Sequence, residues 1–184
     1  IQTLLEMAQL KKTGRLKGLI AAGCLAQRYQ KEIGEEIPEV DMLLGTTAFG
    51  EIAEAVEEVL GGGRGSRCRD VREAAVLCGD RVVTTGGHYA YLKIAEGCGK
   101  HCTYCIIPKV RGEYRSVPME ELAAQAEKLA EGGVRELILV AQETTLYGVD
   151  LYGRKCLPEL LRRLAGIPGI VWIRLLYCYP EEIT

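Results

Sequence analysis

A chain of 184 residues is long enough for one ordinary domain with a real core, or for one domain and part of a second. With 48% hydrophobic and 26% charged residues it reads as globular, and no apolar run is long enough to cross a bilayer. A formal charge of -2 leaves no basic footprint for a phosphate backbone, so neither a membrane nor nucleic acid is the expected partner.

The chain opens at Ile1 rather than Met and stops at Thr184 just past an apolar run, which predicts a piece of a longer protein; no signal-peptide pattern is visible. From Thr3 to Lys12, Leu4, Leu5, Met7 and Ala8 recur at helical spacing, and Gly14 ends the pattern. Leu19 to Ala22 predicts a short aliphatic strand running into Gly23-Cys24, followed by a helix from Leu25 to Ile33. After Pro38 another helix is expected from about Phe49 to Leu60, with Ile52, Ala55, Val56 and Val59 on one face. Gly61, Gly62, Gly63 and Gly65 leave the backbone too free for a helix or strand interior. They place a domain boundary, giving a first domain over 1–62 and a connector over 63–88, with a single strand near Val82 to Thr84.

A second rhythm fills 89–184. It predicts a strand from Tyr89 to Ala95, a cysteine loop, a helix from about Met119 to Glu131, a strand from Glu136 to Ala141, a polar loop, a helix from Leu157 to Ala165 and a strand from Val171 to Leu176. Ser116, Pro118 and Glu120 form a helix-start signal and Gly132-Gly133 a stop. Strand alternating with helix predicts an α/β fold with a parallel sheet or barrel. In such barrels the loops leaving the C-terminal strand ends share one face. The cysteine loop, Gln142-Glu143-Thr144-Thr145 and Cys178-Tyr179-Pro180-Glu181 are therefore expected together.

Eight cysteines call for a reason: disulfides in a secreted protein, or thiolate ligands in a reducing compartment. Long amphipathic helices and aliphatic strands favour the second, and with it a cytoplasmic location. Cys98, Cys102 and Cys105 follow a strand with spacing C-x₃-C-x₂-C, which lets one tight loop wrap three sulfurs around a small iron-sulfur cluster. Three ligands for four irons leave one iron open, where a metal site does chemistry; its expected occupant is the amino and carboxylate groups of a methionine moiety. The competing reading is a zinc site with His101 as fourth ligand, which adjacency to Cys102 strains. Lys109, Arg111 and Arg115 either balance the cluster's negative charge or form an exposed basic face.

The loop resembles the signature of radical S-adenosylmethionine enzymes, in which an aromatic residue, here Tyr104, precedes the last cysteine. More narrowly, Leu92-Lys-Ile-Ala-Glu-Gly-Cys98, Ile107-Pro-Lys-Val-Arg-Gly112, Tyr114-Arg-Ser116 and Pro118-Met-Glu120 resemble the methylthiotransferases. The resemblance implies a partial radical (β/α) barrel over 89–184, preceded over 1–62 by the C-terminal part of the family's α/β N-terminal domain. It implies S-adenosylmethionine and two 4Fe-4S clusters as cofactors, one held by Cys98, Cys102 and Cys105. Cys24, within Gly23-Cys-Leu-Ala-Gln-Arg-Tyr29, matches the last ligand of the second, whose other two cysteines are expected before Ile1. Tyr104, Gln142 and Glu143 become candidate cofactor-binding residues, the last two near the methionine ammonium. Cys68, Cys78, Cys156 and Cys178 match no family ligand.

Ala141-Gln-Glu-Thr-Thr-Leu-Tyr-Gly148 and Trp172-Ile-Arg-Leu-Leu-Tyr177 look like the branch that modifies an aspartate of a small-subunit ribosomal protein, rather than the transfer-RNA branch. The implied reaction removes hydrogen from the aspartate β-carbon and installs a methylthio group. It needs a one-electron donor such as flavodoxin or ferredoxin, and no side chain beyond the ligands is assigned a catalytic step. A transfer-RNA methylthiotransferase and a non-catalytic zinc or iron-sulfur module remain the alternatives.

Overall fold

The computed structural model describes residues 1–73 and 82–182. The chain forms two compact units, Ile1–Ala75 with Lys109–Arg111, and Val76–Pro108 with Gly112–Thr184.

The first unit runs α1 (Gln2–Lys12), β1 (Ile20–Ala22), α2 (Cys24–Arg28), α3 (Gln30–Glu36), β2 (Met42–Leu44), a 3-10 turn at Phe49–Glu51, α4 (Ile52–Leu60) and β3 (Gly65–Arg67). Its three strands pair in parallel in the order β1-β2-β3. The helix expected from Leu25 to Ile33 is two helices broken at Tyr29, whose φ of -115° leaves the helical region. On α4 only Ala55 and Val59 of the expected apolar face are buried, while Ile52 and Val56 are exposed. The stretch expected as a connector contributes β3 to the sheet. Its Arg67 reaches across to Glu51, Glu54 and Glu58, the Glu58 contact at 2.8 Å. Val82 to Thr84, expected as a strand, is not one.

The second unit runs β4 (Tyr89–Lys93), β5 (Ala95–Glu96), α5 (Ile107–Arg111, its last three residues grouped with the first unit), β6 (Arg115–Ser116), α6 (Met119–Glu131), β7 (Glu136–Val140), α7 (Val149–Tyr152), α8 (Leu157–Ala165) and β8 (Trp172–Leu175). Strands β4, β7 and β8 form a parallel sheet with β7 central, and β5 pairs antiparallel with β6. Position in the sheet explains the burial. The middle of β7 is fully covered at Leu137, Ile138 and Leu139, β4 alternates with Ala90 and Leu92 inward, and β8 is largely open. Helices α6 and α8 touch each other and the sheet. They do so through Leu122, Ala126 and Leu129 on one and Leu157, Leu160 and Leu164 on the other, each set at helical spacing. Gly133 ends α6 at φ +94°, a left-handed value that glycine takes without strain. Ser116 does not cap α6. It lies in β6, and its hydroxyl donates to Asp150 at 2.6 Å, while Pro118 holds the cap position. Among the described residues no helix is long and apolar enough to cross a membrane.

Candidate active site

The polar side chains that the fold hides are gathered at one end of the second sheet. Among the described residues, Glu96, Ser116, Glu143, Thr144 and Thr145 are the buried polar ones. Glu96 ends β5, which follows β4, and Glu143 to Thr145 follow β7.

The cysteine loop leaves β5 through Gly97. A Cβ there would meet Glu113 O at 2.1 Å and Gly112 O at 2.6 Å, and the backbone has φ +82°, so space and conformation both demand glycine. Cys98 N–H donates to Gly112 O at 3.1 Å, and Cys105 N–H to Cys102 O at 2.9 Å. The three cysteines are free and half-buried. Among the described residues, no three Cys, His, Asp or Glu side chains converge closely enough to hold one metal ion. His101 Nε2 faces Glu113 Oε1 at 3.5 Å. A lone zinc ion needs every sulfur about 2.3 Å from one point, whereas a four-iron cluster takes each thiolate on a different iron. Three thiols on one loop are the donor type that such a cluster takes, and the His101 ring that a zinc site would need faces Glu113 instead.

The three loops expected on one face are tied to one another. Gly97 N–H donates to the Gln142 side-chain oxygen at 2.7 Å, joining the cysteine loop to the loop after β7. Thr144 N–H donates to Tyr177 O at 3.1 Å and the Thr144 hydroxyl to Leu176 O at 2.9 Å, joining that loop to the one after β8. Tyr177 accepts from a left-handed backbone, φ 60°, an uncommon state for a residue with a side chain. Glu143 is buried and accepts from the Thr145 N–H at 3.1 Å and from the Thr145 hydroxyl.

Lys100, inside the cysteine loop, closes the ring. Its ammonium lies 3.0 Å from Glu182, 3.8 Å from Glu143 and 3.7 Å from the centre of the Tyr179 ring. Burial pushes this lysine down, but Glu182 and Glu143 outweigh it and hold its ammonium above the ordinary lysine range. Lys155, then Lys100, hold the Glu182 carboxyl below its ordinary range. Neither Lys100 nor Glu182 was signalled by the sequence pattern, because the pair is separated by 82 positions. Beside these groups a cleft of about 500 Å³ is lined by Lys93, Ile107, Val140, Ala141, Gln142 and Tyr177, within the size range of small-molecule sites.

Gln142 and Glu143 are therefore brought into the site. Tyr104, next to Cys105, is 90% exposed. Cys24 lies in the first unit, at the start of α2, where its sulfur accepts from Arg111 Nε at 3.2 Å. Cys178 lies 3.3 Å from the Thr144 hydroxyl, Cys156 is buried, and Cys68 contacts the Ala26 carbonyl at 3.6 Å. Cys78 lies outside the described residues.

Residues 92–179 match the family described as the radical SAM superfamily. That stretch is just under half of the chain, and it is what is similar to the superfamily. Over all 184 residues it is 65% identical to the ribosomal protein uS12 methylthiotransferase RimO of Lachnoclostridium phytofermentans, of which it covers 42%. It is 48% identical over the same length to the RimO proteins of Clostridium botulinum strain Hall and Clostridium tetani, covering 41% of each. The chain spans about two fifths of the length of the curated relatives it matches. Members of the radical SAM RimO group work with 4Fe-4S clusters and S-adenosylmethionine.

Proposed function

We propose that this chain is the part of a radical SAM methylthiotransferase that binds the S-adenosylmethionine-cleaving cluster. The complete protein would add a methylthio group to the β-carbon of an aspartate in the small-subunit ribosomal protein uS12, in the cytoplasm. The observation that carries this is the C-x₃-C-x₂-C loop fixed by hydrogen bonds and ion pairs to the loops after β7 and β8, in a chain 65% identical to a uS12 methylthiotransferase. Residues 1–62 are read as the end of the N-terminal domain, 63–88 as a connector and 89–184 as the first half of a (β/α) barrel.

Cys98, Cys102 and Cys105 would each ligate one iron and leave the fourth open to the methionine amino and carboxylate groups. When reduced, the bound cluster supplies the electron that splits S-adenosylmethionine into methionine and a 5′-deoxyadenosyl radical. The work of the chain itself is placement. Gln142 fixes the cysteine loop through Gly97, and Glu143, already beside the Lys100 ammonium, offers an acceptor to the ligand's ammonium. The cleft beside them would offer the ligand a partly enclosed surface. Cys24 would contribute one ligand to a second cluster, and a flavodoxin or ferredoxin would deliver the electron.

Anaerobic reconstitution with iron and sulfide, metal analysis and an assay for 5′-deoxyadenosine with dithionite test this directly. Iron uptake and 5′-deoxyadenosine are expected; zinc in place of iron would overturn the reading. Offering uS12 and transfer RNA in parallel should give modification of uS12, and modification of transfer RNA alone would overturn the substrate.

A further inference from the structure

Side chains along a strand point alternately to its two faces. On β4, Ala90 and Leu92 turn to the core that α6 and α8 complete, so Tyr89, Tyr91 and Lys93 take the opposite face. Lys93 is the last residue of β4 and pairs in the ladder with Val140, the last of β7. Both line the cleft of about 500 Å³, together with Ile107 and Gln142. Gln142 also takes the N–H of Gly97, the neighbour of Cys98, and Ile107 lies just past Cys105. The cleft therefore adjoins both ends of the cysteine loop.

Among the described residues that line the cleft, Lys93 alone carries a charge; the others are aliphatic residues, Gln142 and Tyr177. Its ammonium is anchored by the carboxylate of Glu96. The two partners are unequally covered, the Glu96 side chain being 9% exposed and that of Lys93 42%. One Glu96 oxygen accepts from the ammonium, which has three donors. The ion pair thus fixes the position of the charge without using up its donors. A cation held in this way beside an otherwise uncharged cleft suits a ligand that brings a carboxylate.

We propose that Lys93 is a specificity-determining residue whose ammonium binds the side-chain carboxylate of the substrate aspartate. The inference rests on the reaction given under the proposed function and names the group that reads its substrate. Two carboxylates enter that reaction. The one on the methionine moiety is assigned to the open iron, whereas that of the aspartate has no partner yet. Its carboxyl carbon is bonded directly to the β-carbon that loses hydrogen, so a cation that grips the carboxylate also places the reacting C–H. The same cation separates aspartate from asparagine, which has the shape without the charge, and from a transfer-RNA base, which brings no carboxylate.

The test is a double-mutant cycle in the complete reconstituted protein, pairing Lys93→Gln with the aspartate-to-asparagine variant of uS12. Binding of uS12 is measured with S-adenosylmethionine present and without reductant, so that no turnover intervenes. Either change alone should weaken the complex about tenfold, as expected for a lost charged hydrogen bond, and the two together should weaken it no further. Lys93→Met, which keeps the length of the side chain without its charge, repeats the cycle independently, and Lys93→Arg should recover most of the affinity. Iron content and the affinity for S-adenosylmethionine should be those of the wild type. Additive losses, or equal binding of the two uS12 forms by the wild type, would overturn the inference. S-adenosylmethionine binding weakened tenfold would also overturn it, and would assign Lys93 to the methionine carboxylate. Loss of iron or of folding in both uncharged variants would overturn it in favour of a structural ion pair with Glu96. All these outcomes leave the proposed function standing; a wild-type protein that takes up no iron, or that modifies transfer RNA alone, would overturn both.

Discussion

Asp41 in the first unit and Glu143 in the second are carboxylates at opposite ends of their strands. Asp41 precedes β2, with its side chain 11% exposed, and is satisfied by the Lys11 ammonium and by Leu19 N–H at 2.9 Å, with Arg64 at 3.6 Å. Glu143 follows β7 with its side chain 3% exposed and is satisfied mainly by its own loop, through Thr145. The nearest cation, Lys100, is shared with Glu182. In parallel α/β folds groups at the N-terminal strand ends stabilise, and groups at the C-terminal ends meet ligands. Of the partners of Asp41, Lys11 lies on α1, Leu19 precedes β1 and Arg64 precedes β3. Those of Glu143, Thr145 and Lys100, lie in the loops after β7 and β5.

The largest effect expected from breaking this contrast is at the cysteines. Replacing Cys98, Cys102 or Cys105 by Ala should abolish cluster uptake by the second unit, since a cluster held by two thiolates has lost a third of its protein ligands; Cys24→Ala should leave it in place. Iron counts and the EPR signal of the reduced cluster decide this. Loss of the same signal in the Cys24 variant would show that the two sites had been misassigned. Next comes Glu143→Gln, which keeps the shape and the acceptor for Thr145 N–H but removes the charge. Charged hydrogen bonds contribute about 1.5–3 kcal/mol, so S-adenosylmethionine should bind about tenfold to a hundredfold more weakly, by equilibrium titration of the reconstituted protein. An unchanged affinity would make Glu143 a structural carboxylate like Asp41.

Helices α6 and α8 were legible because their apolar residues recur at the helical period and glycine follows each. Cys98, Cys102 and Cys105 were legible because one loop carries all three, and the convergence of the loops followed from strand alternating with helix. What escaped was set by distant partners. The sequence Gly65-Ser-Arg67 has little strand tendency of its own, and it becomes β3 because β2 lies alongside and Arg67 finds three glutamates. Val82 to Thr84 has strand tendency, yet Val82 is 88% exposed and joins no ladder. Likewise Lys100 is an unremarked residue between two cysteines until Glu182 and Tyr179 come to meet it.

The smallest expected effect is on stability, at Asp41. Burial alone would raise its carboxyl, but the Lys11 ammonium, Leu19 N–H and Arg64 outweigh burial and hold it below the ordinary carboxylate range. A value lowered by folding means that the unfolded chain binds the proton more readily. The contribution is therefore complete above the unfolded value of about 4 and is lost as pH falls through the lower folded value. Asp41→Asn removes the charge while keeping an acceptor for Leu19 N–H, so the first unit should lose about 1–2 kcal/mol near neutral pH. Its unfolding midpoint should then fall less steeply than that of the wild type as the pH is lowered below 4. Denaturant unfolding between pH 7 and pH 2.5 measures both, and S-adenosylmethionine binding by the same variant should be unchanged. A parallel pH dependence in variant and wild type would mean that other carboxylates set the acid limit. Weakened ligand binding would mean that the contrast between the two strand ends does not divide fold from function.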